Sequence, residues 1–448
     1  MKLFGTDGIR GKVNTDPMTP EKVLKVGMAA AKVLKKKLGR NTILIGKDTR
    51  LSGYMIESAL TSGICSMGMN VTLVGPCPTP GVAFLTRALR LDAGIVISAS
   101  HNPFYDNGIK FFSHDGFKLS DQIETEIEGL VAGDEIFHRR MHSEHIGKAF
   151  RLDDALGRYI EYIKSTIPRG TNFEGLKVVV DCANGAAYKV TPWVLRELGA
   201  EVITINDHPD GININANCGS LSMDRLREEV LRTRADAGFA HDGDADRTLF
   251  CDETGNIVDG DRMMGVLAVA MKKDRTLNHD TVVTTVMSNL GFEHYLQKNG
   301  VQLVRTAVGD RYVVERMRQE GFNFGGEQSG HIVFFNYNTT GDGPITAVQV
   351  LHLLKKRKKP LSALTGGIVL YPQVLKNVEV KKKKSIDSVP ALKQAIEKAN
   401  RELGGRGRIL VRPSGTEPTI RVMVEGDDEH LINRYAAMLA KVVSKTMS

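Results

Sequence analysis

Disulfide-forming cysteine is the first thing this chain is short of. Its 448 residues include five cysteines, at positions 65, 77, 182, 218 and 251. The number is odd and no Cys-x-x-Cys pair occurs. A disulfide framework and a cysteine zinc site are therefore not expected, and reduced thiols in a cytoplasm are. No apolar run approaches the ~20 residues that span a bilayer. The start, Met1-Lys2-Leu3-Phe4-Gly5-Thr6-Asp7, lacks the apolar core of a signal peptide. Neither observation points to a membrane. A Gly-x-x-x-x-Gly-Lys-Ser/Thr loop is also missing, which removes support for nucleotide binding. Aromatics are absent from the two lysine-rich runs, 355–359 and 381–384. Those runs read as solvated faces, and no nucleic-acid partner is expected.

What remains is ordinary soluble composition, with 42% apolar and 25% charged residues. The net charge of +8 permits an anionic ligand without specifying one. The chain is too long for one core, and about three or four domains are expected at roughly 100–200 residues each. Three segments repeat one plan, with short apolar runs separated by helical stretches. The first has Thr42–Asp48, Val71–Gly75 and Gly94–Ile97. The second has Leu176–Asp181, Val202–Ile205 and Ala237–Ala240. The third has Thr281–Val286, Val301–Val304 and Phe322–Gly326. Strands alternating with helices predict α/β units with largely parallel sheets. Ligands then belong beyond the carboxyl ends of the strands. From about residue 370 the pattern changes to a smaller α+β unit. The boundaries read as 1–150, 151–255, 256–368 and 369–448. The stretch His138–His145 holds three histidines but reads as a solvated connector, a weak metal site at most.

The third run of each segment ends in polar, chemistry-bearing residues. After Gly94–Ile97 come Ser98-Ala99-Ser100-His101-Asn102-Pro103. That is either a strand-to-turn transition or a strand delivering the Ser100 nucleophile to a sheet rim. After Ala240 come His241-Asp242-Gly243-Asp244-Ala245-Asp246-Arg247. Carboxylates at i, i+2 and i+4 between small residues converge, and three like charges so close need a cation. All-oxygen ligation selects Mg²⁺ or Ca²⁺. An EF-hand would place Glu253 at its twelfth position, but Arg247 stands where Gly is required and the flanks read as strands. Three Asp ligands leave positions open on Mg²⁺, as phosphoryl transfer requires. The third loop is Gly325-Gly326-Glu327-Gln328-Ser329-Gly330-His331. It is a Gly-rich turn, or a reader of hydroxyl-rich ligands through Glu327 and Ser329. In the last segment, Arg412-Pro413-Ser414-Gly415-Thr416-Glu417-Pro418-Thr419-Ile420-Arg421 sets two guanidinia around hydroxyls and a glycine. That composition suits a phosphate monoester.

With these motifs in order, and with Phe4-Gly5-Thr6-Asp7-Gly8-Ile9-Arg10-Gly11 ahead of them, the chain resembles the α-D-phosphohexomutase superfamily over nearly its whole length. The resemblance implies three topologically similar α/β/α domains with mixed sheets and a smaller C-terminal α+β domain, around a central cleft. It implies a phosphoserine at Ser100, and one Mg²⁺ held by Asp242, Asp244, Asp246 and a phosphoserine oxygen. It implies a phosphosugar substrate and roles for His101, Lys110, Arg247, Arg10 and His331 in neutralising charge, contacting phosphate or moving protons. Glu327 and Ser329 would bind sugar. Arg412, Ser414, Gly415, Thr416 and Arg421 would bind the phosphate that is not reacting. Ser98, Gln328, the stretch Thr306–Arg311 and Thr340-Gly341-Asp342-Gly343 point to glucosamine phosphates, with glucosamine 1,6-bisphosphate as intermediate. Mannose or glucose phosphates are the alternative within the superfamily. A homodimer is compatible with the resemblance. One departure is Ala245, where the superfamily often has Gly; a methyl is tolerated there unless the backbone needs positive φ.

Overall fold

The computed structural model describes residues 3–5, 7–35, 39–380, 388–413 and 419–447. The lysine run at 381–384 and residues Ser414, Gly415 and Thr416 lie outside the described residues. Among the described residues, four sheets organise the chain. The first has six strands in the order Ile9–Lys12, Asp106–Ser113, Ala93–Ile97, Thr42–Lys47, Asn70–Pro76 and Ala149–Arg151. The second has five, in the order Ile257–Val258, Thr248–Asp252, Ala237–His241, Lys177–Asp181 and Glu201–Ile205. The third runs Gln302–Thr306, Thr281–Thr285, Phe324–Gly326 and Ile332–Phe334.

One topology recurs in all three. The strands beginning at Thr42, Lys177 and Thr281 each pair in parallel with the next two strands of their segment. The third strand then pairs antiparallel with a fourth. The sheets are therefore mixed, and less parallel than alternation alone suggests. Polar residues that reverse the chain follow each third strand, so the fourth returns beside it without a helical crossover. The three reversals are residues 98–105, 242–247 and 327–331. The Ser100, aspartate and Gly325–His331 motifs thus occupy one topological position, repeated three times.

Packing buries the strands that carry these rims. Ala93–Ile97 and Ala237–His241 are buried at every position, as strands covered on both faces should be. Helices are placed by local signals. Thr19 caps Pro20–Leu34, with proline in the first turn. Asp342 caps Gly343–Arg357 by accepting from the Ile345 N–H at 2.8 Å. One apolar core runs continuously from Tyr159 and Val178 of the second segment to Val282, Phe324 and Leu351 of the third. The last sheet, with Gln373–Glu379 and Gly407–Pro413 flanking Thr419–Gly426, is antiparallel. It packs on helices Pro390–Leu403 and Glu429–Met447 around its own core. His138, His142 and His145 are exposed, and among the described residues the one group able to hold a metal is Asp242, Asp244 and Asp246.

Candidate active site

Ser100 stands just past the strand Ala93–Ile97, almost fully buried, with φ +53°. A non-glycine residue in that left-handed region needs support from its surroundings. Arg50 supplies much of it. This fully buried guanidinium donates from Nη2 to the Ser100 carbonyl at 3.0 Å and the Asn102 carbonyl at 2.8 Å. Its Nη1 donates to the Asp106 carbonyl at 3.1 Å and to the Pro103 carbonyl. Asp48 accepts from Arg50 Nε at 2.8 Å and from Ser98 Oγ at 2.6 Å, and Ser98 Oγ accepts the Ser100 N–H at 2.9 Å. From the second segment, Asn215 Nδ2 donates to the same Ser100 and Asn102 carbonyls at 2.9 and 3.0 Å. Gly243 also backs onto this loop. A Cβ there would lie 2.6 Å from the Ser100 oxygen, so only glycine lets the two loops meet.

The aspartate loop faces Ser100 directly. Ser100 Oγ donates to Asp242 Oδ2 at 2.5 Å. Ligand atoms of Asp242, Asp244 and Asp246 lie within 4.8 Å of one another, all buried. Burial, then the neighbouring Asp246 and Asp244 carboxylates, push the Asp242 carboxyl well above the usual carboxylate range. Asp244 Oδ1 and Asp246 Oδ1 are buried without a hydrogen-bond partner. Convergent, buried, unpartnered carboxylate oxygens fit a hard divalent cation. Ala245 holds φ +55°. The backbone does require the left-handed region at this departure from the superfamily pattern, at a cost of roughly 1–2 kcal/mol for a residue with Cβ.

Charged side chains surround the triad. Lys110 Nζ lies 2.8 Å from Asp244, 3.2 Å from Asp246 and 3.2 Å from Asp7. Burial opposes its charge, but these three carboxylates raise its pKa well above the ordinary value. Asp7 in turn contacts Arg10 and Lys118, and Lys118 reaches Asp310 at 2.6 Å. His331 lies 3.4 Å from Asp310 and 3.7 Å from Asp246. Burial disfavours its imidazolium, yet Asp246, Asp310 and Glu327 together raise its pKa. His101 is the opposite case: burial, then Arg247 and Arg10, bring its pKa down to about 4. Its Nδ1 is 3.3 Å from both Ser100 Oγ and Arg247 Nη1. A guanidinium can only donate, so Nδ1 is the unprotonated nitrogen. The backbone N–H of Arg247 donates to Asp242 Oδ1 at 3.2 Å, tying the cation to the triad.

The sugar-loop candidates lie on the same side. Glu327 accepts the Gly309 N–H at 3.3 Å, and burial raises its pKa. Ser329 Oγ is buried without a hydrogen-bond partner, as is Thr340 Oγ1. These groups are available to a ligand's hydroxyls. In the last sheet, Arg412 and Arg421 occupy paired positions on adjacent strands. Burial, then the Arg421 charge, lowers the Arg412 pKa. Two guanidinia set against each other suit an anion. Arg50, Asn215 and Lys118 lie outside the sequence motifs, while Asp48 closes the first apolar run and Asp310 lies in the stretch Thr306–Arg311, neither with an expected role. The carboxyl end of Thr42–Lys47 was the available signal for Asp48 and Arg50, because strand ends line such clefts. Asn215 lies in an irregular loop with no pattern to mark it.

Comparison with known proteins places all four units in one family. Residues 1–136, 157–255 and 259–371 match the phosphoglucomutase/phosphomannomutase alpha/beta/alpha domains I, II and III, and residues 375–442 match the C-terminal domain. The chain belongs to this family. A phosphoglucosamine mutase of Thermodesulfovibrio yellowstonii is 55% identical over 451 residues, covering 100% of both chains. The phosphoglucosamine mutase of Syntrophotalea carbinolica is 54% identical, covering 99% of this chain and 97% of its own. The fold is shared with a Burkholderia thailandensis phosphoglucomutase/phosphomannomutase family protein at TM-score 0.83 and 22% identity, over 100% and 98% of the two chains. It is also shared with Aspergillus fumigatus N-acetylphosphoglucosamine mutase, solved with GlcNAc-6P and magnesium, at TM-score 0.69 and 17% identity over 100% and 96%. The three reversals carry Ser100, the Asp242–Asp246 triad and the loop Glu327–Gly330.

Proposed function

We propose that the protein interconverts glucosamine 6-phosphate and glucosamine 1-phosphate through a phosphorylated Ser100 and glucosamine 1,6-bisphosphate. The observation that carries this reading is Ser100 Oγ, 2.5 Å from Asp242 at the mouth of three convergent carboxylates. Identities above 50% over full length to proteins named phosphoglucosamine mutase support the sugar. Asp242, Asp244, Asp246 and a phosphoserine oxygen would hold one Mg²⁺, which supplies charge neutralisation at the transferring phosphoryl group.

The chain's own residues divide the remaining work. The sugar C1 hydroxyl attacks phosphorus as the bond from phosphorus to Ser100 Oγ breaks; the hydroxyl gives up its proton and Ser100 Oγ takes one up through His101, leaving as the serine hydroxyl. The bisphosphate reorients, and its 6-phosphoryl returns to Ser100. Lys110, Arg247 and Arg10 balance charge on the phosphoryl oxygens. We assign Lys110 to this role because carboxylates face its ammonium from three residues. His101 is the imidazole placed to exchange a proton with Ser100 Oγ. His331 stands across the triad and contacts phosphate. Glu327 and Ser329 bind sugar hydroxyls, and the loop from Arg412 to Arg421 takes the phosphate that is not reacting. We propose a cytoplasmic location, from the reduced-thiol composition and because no helix of the described residues is long and apolar enough to cross a membrane. We place the boundaries between the four units near residues 150, 255 and 368.

The test is kcat/KM for glucosamine, mannose and glucose 6-phosphates. Glucosamine 6-phosphate should lead by at least about tenfold, the scale of one well-made polar contact. A preference for mannose or glucose 6-phosphate would overturn the substrate assignment.

A further inference from the structure

Thr79 lies outside every sequence motif and is 1% exposed. It opens the helix Thr79–Ala88, between Pro78 and Pro80. Prolines on both sides restrict its backbone. The first N–H groups of a helix have no partner within it, and the Thr79 N–H donates instead to the Asp244 carbonyl at 2.9 Å. The Thr79 hydroxyl donates to Asp244 Oδ2 at 2.6 Å. One residue of the first segment therefore grips both the backbone and the side chain of the central aspartate of the second.

The consequence lies in which oxygen is left. Asp244 Oδ2 receives two donors, Thr79 Oγ1 and Lys110 Nζ, the latter at 2.8 Å. Asp244 Oδ1 is buried and receives none. A carboxylate with one oxygen occupied in this way offers a cation one ligand atom. Small Mg²⁺ demands near-octahedral, single-oxygen ligation, whereas Ca²⁺ accepts bidentate carboxylates and higher coordination. We propose that Thr79 is a positioning residue that holds Asp244 to one-oxygen ligation and so makes the site selective for a small divalent cation. This rests on the reading of Asp242, Asp244 and Asp246 as the metal ligands. The hydroxyl bonds Asp244 Oδ2 and acts through that carboxylate. Residues that orient a metal ligand typically carry about 10–100-fold in metal affinity.

The test is direct cation binding, with no turnover required. Mn²⁺ binding is followed by the paramagnetic signal of the free ion, and Mg²⁺ and Ca²⁺ are competed against it. Full-length proteins are matched for Ser100 phosphorylation by intact mass. Thr79→Val keeps the size and the backbone donor but removes the hydroxyl. It should weaken Mg²⁺ at least about tenfold and lower the Mg²⁺-over-Ca²⁺ preference by a similar factor. Thr79→Ser, which restores the donor, should lie within about twofold of the parent for both ions. If Thr79→Val does not fold, Thr79→Ala carries the same expectation. A folded variant without the hydroxyl that keeps the parent's Mg²⁺ affinity and ion preference overturns the proposal, even if its melting temperature falls. If the parent protein itself binds no Mn²⁺, the metal-ligand reading fails and the role of Thr79 fails with it.

Discussion

Arg50 holds Ser100 by the carbonyl, with Nη2 3.0 Å from the oxygen. The same guanidinium also reaches Asn102, Pro103, Asp106 and Asp48. Lysine at this position would keep the charge but lose the planar fork, leaving several buried carbonyls unpaired. The loop that carries the phosphoryl group would then lose its fixed geometry. Arg50→Lys should lower kcat by about a hundredfold, the scale of an ångström-level misplacement. KM for the sugar phosphate should stay within a few-fold, because the substrate contacts lie elsewhere. Steady-state kinetics on folded variant, with Asn215→Ala as a milder companion, checks this. An unchanged kcat would mean that the clamp does not set Ser100.

Ser100→Ala removes the acceptor of the phosphoryl group. Turnover should fall by at least about a thousandfold, since the reaction has no other nucleophile here. Binding of sugar phosphate should persist, because Arg412, Glu327 and the lysine and arginine side chains remain. Intact mass decides the chemistry. The parent protein should carry a phosphate-sized addition that the variant lacks. Retained turnover would refute the covalent route.

These two residues also mark what the sequence could convey. The motif Ser98–Pro103 exposes a hydroxyl after a buried strand, and the triad announces itself by spacing, so both were legible from neighbouring residues alone. The repeated strand order was partly legible. Alternation predicts parallel strands, but the antiparallel fourth strand follows from a tight reversal that periodicity does not encode. Arg50 and Asn215 lie 50 and 115 residues from Ser100. Arg50 meets Ser100 only once the first segment has folded, and Asn215 only once the second packs against it, so no local pattern reports either contact. Ala245 shows the same limit at the backbone. Its composition is ordinary, while its φ of +55° is set by the loop around it.

Arg412 and Arg421 sit opposite one another, and their mutual repulsion lowers the Arg412 pKa after burial has begun to do so. A phosphate between them relieves both effects. That phosphate is bound equally in ground and transition states, so its loss should appear in KM rather than kcat. Arg412→Gln should raise KM about tenfold, the equivalent of one charge-assisted contact, with kcat within about threefold. Inorganic phosphate should raise the melting temperature of the parent more than that of the variant. Equal shifts would place the non-reacting phosphate elsewhere.

Asp261 gives a pH dependence with a definite sign. It is fully buried in the first turn of Gly260–Lys273, and Asp259 caps that helix. Asp261 Oδ2 accepts the Asn289 N–H at 2.7 Å, while Oδ1 has no partner. Burial, then the Asp259 charge, pushes its pKa up to about 7. The folded protein therefore holds this proton where the unfolded chain, with a carboxyl pKa near 4, has released it. The contribution of Asp261 to stability falls as pH rises from about 4 to about 7 and levels off above that, a loss on the order of 4 kcal/mol at 1.4 kcal/mol per unit. Asp261→Asn imitates the protonated acid and cannot ionise. Its melting temperature should match the parent's near pH 4 and exceed it increasingly up to pH 7. Thermal unfolding of both proteins across that range decides the matter. A gap that is constant with pH would show that Asp261 keeps an ordinary carboxylate pKa in the folded protein.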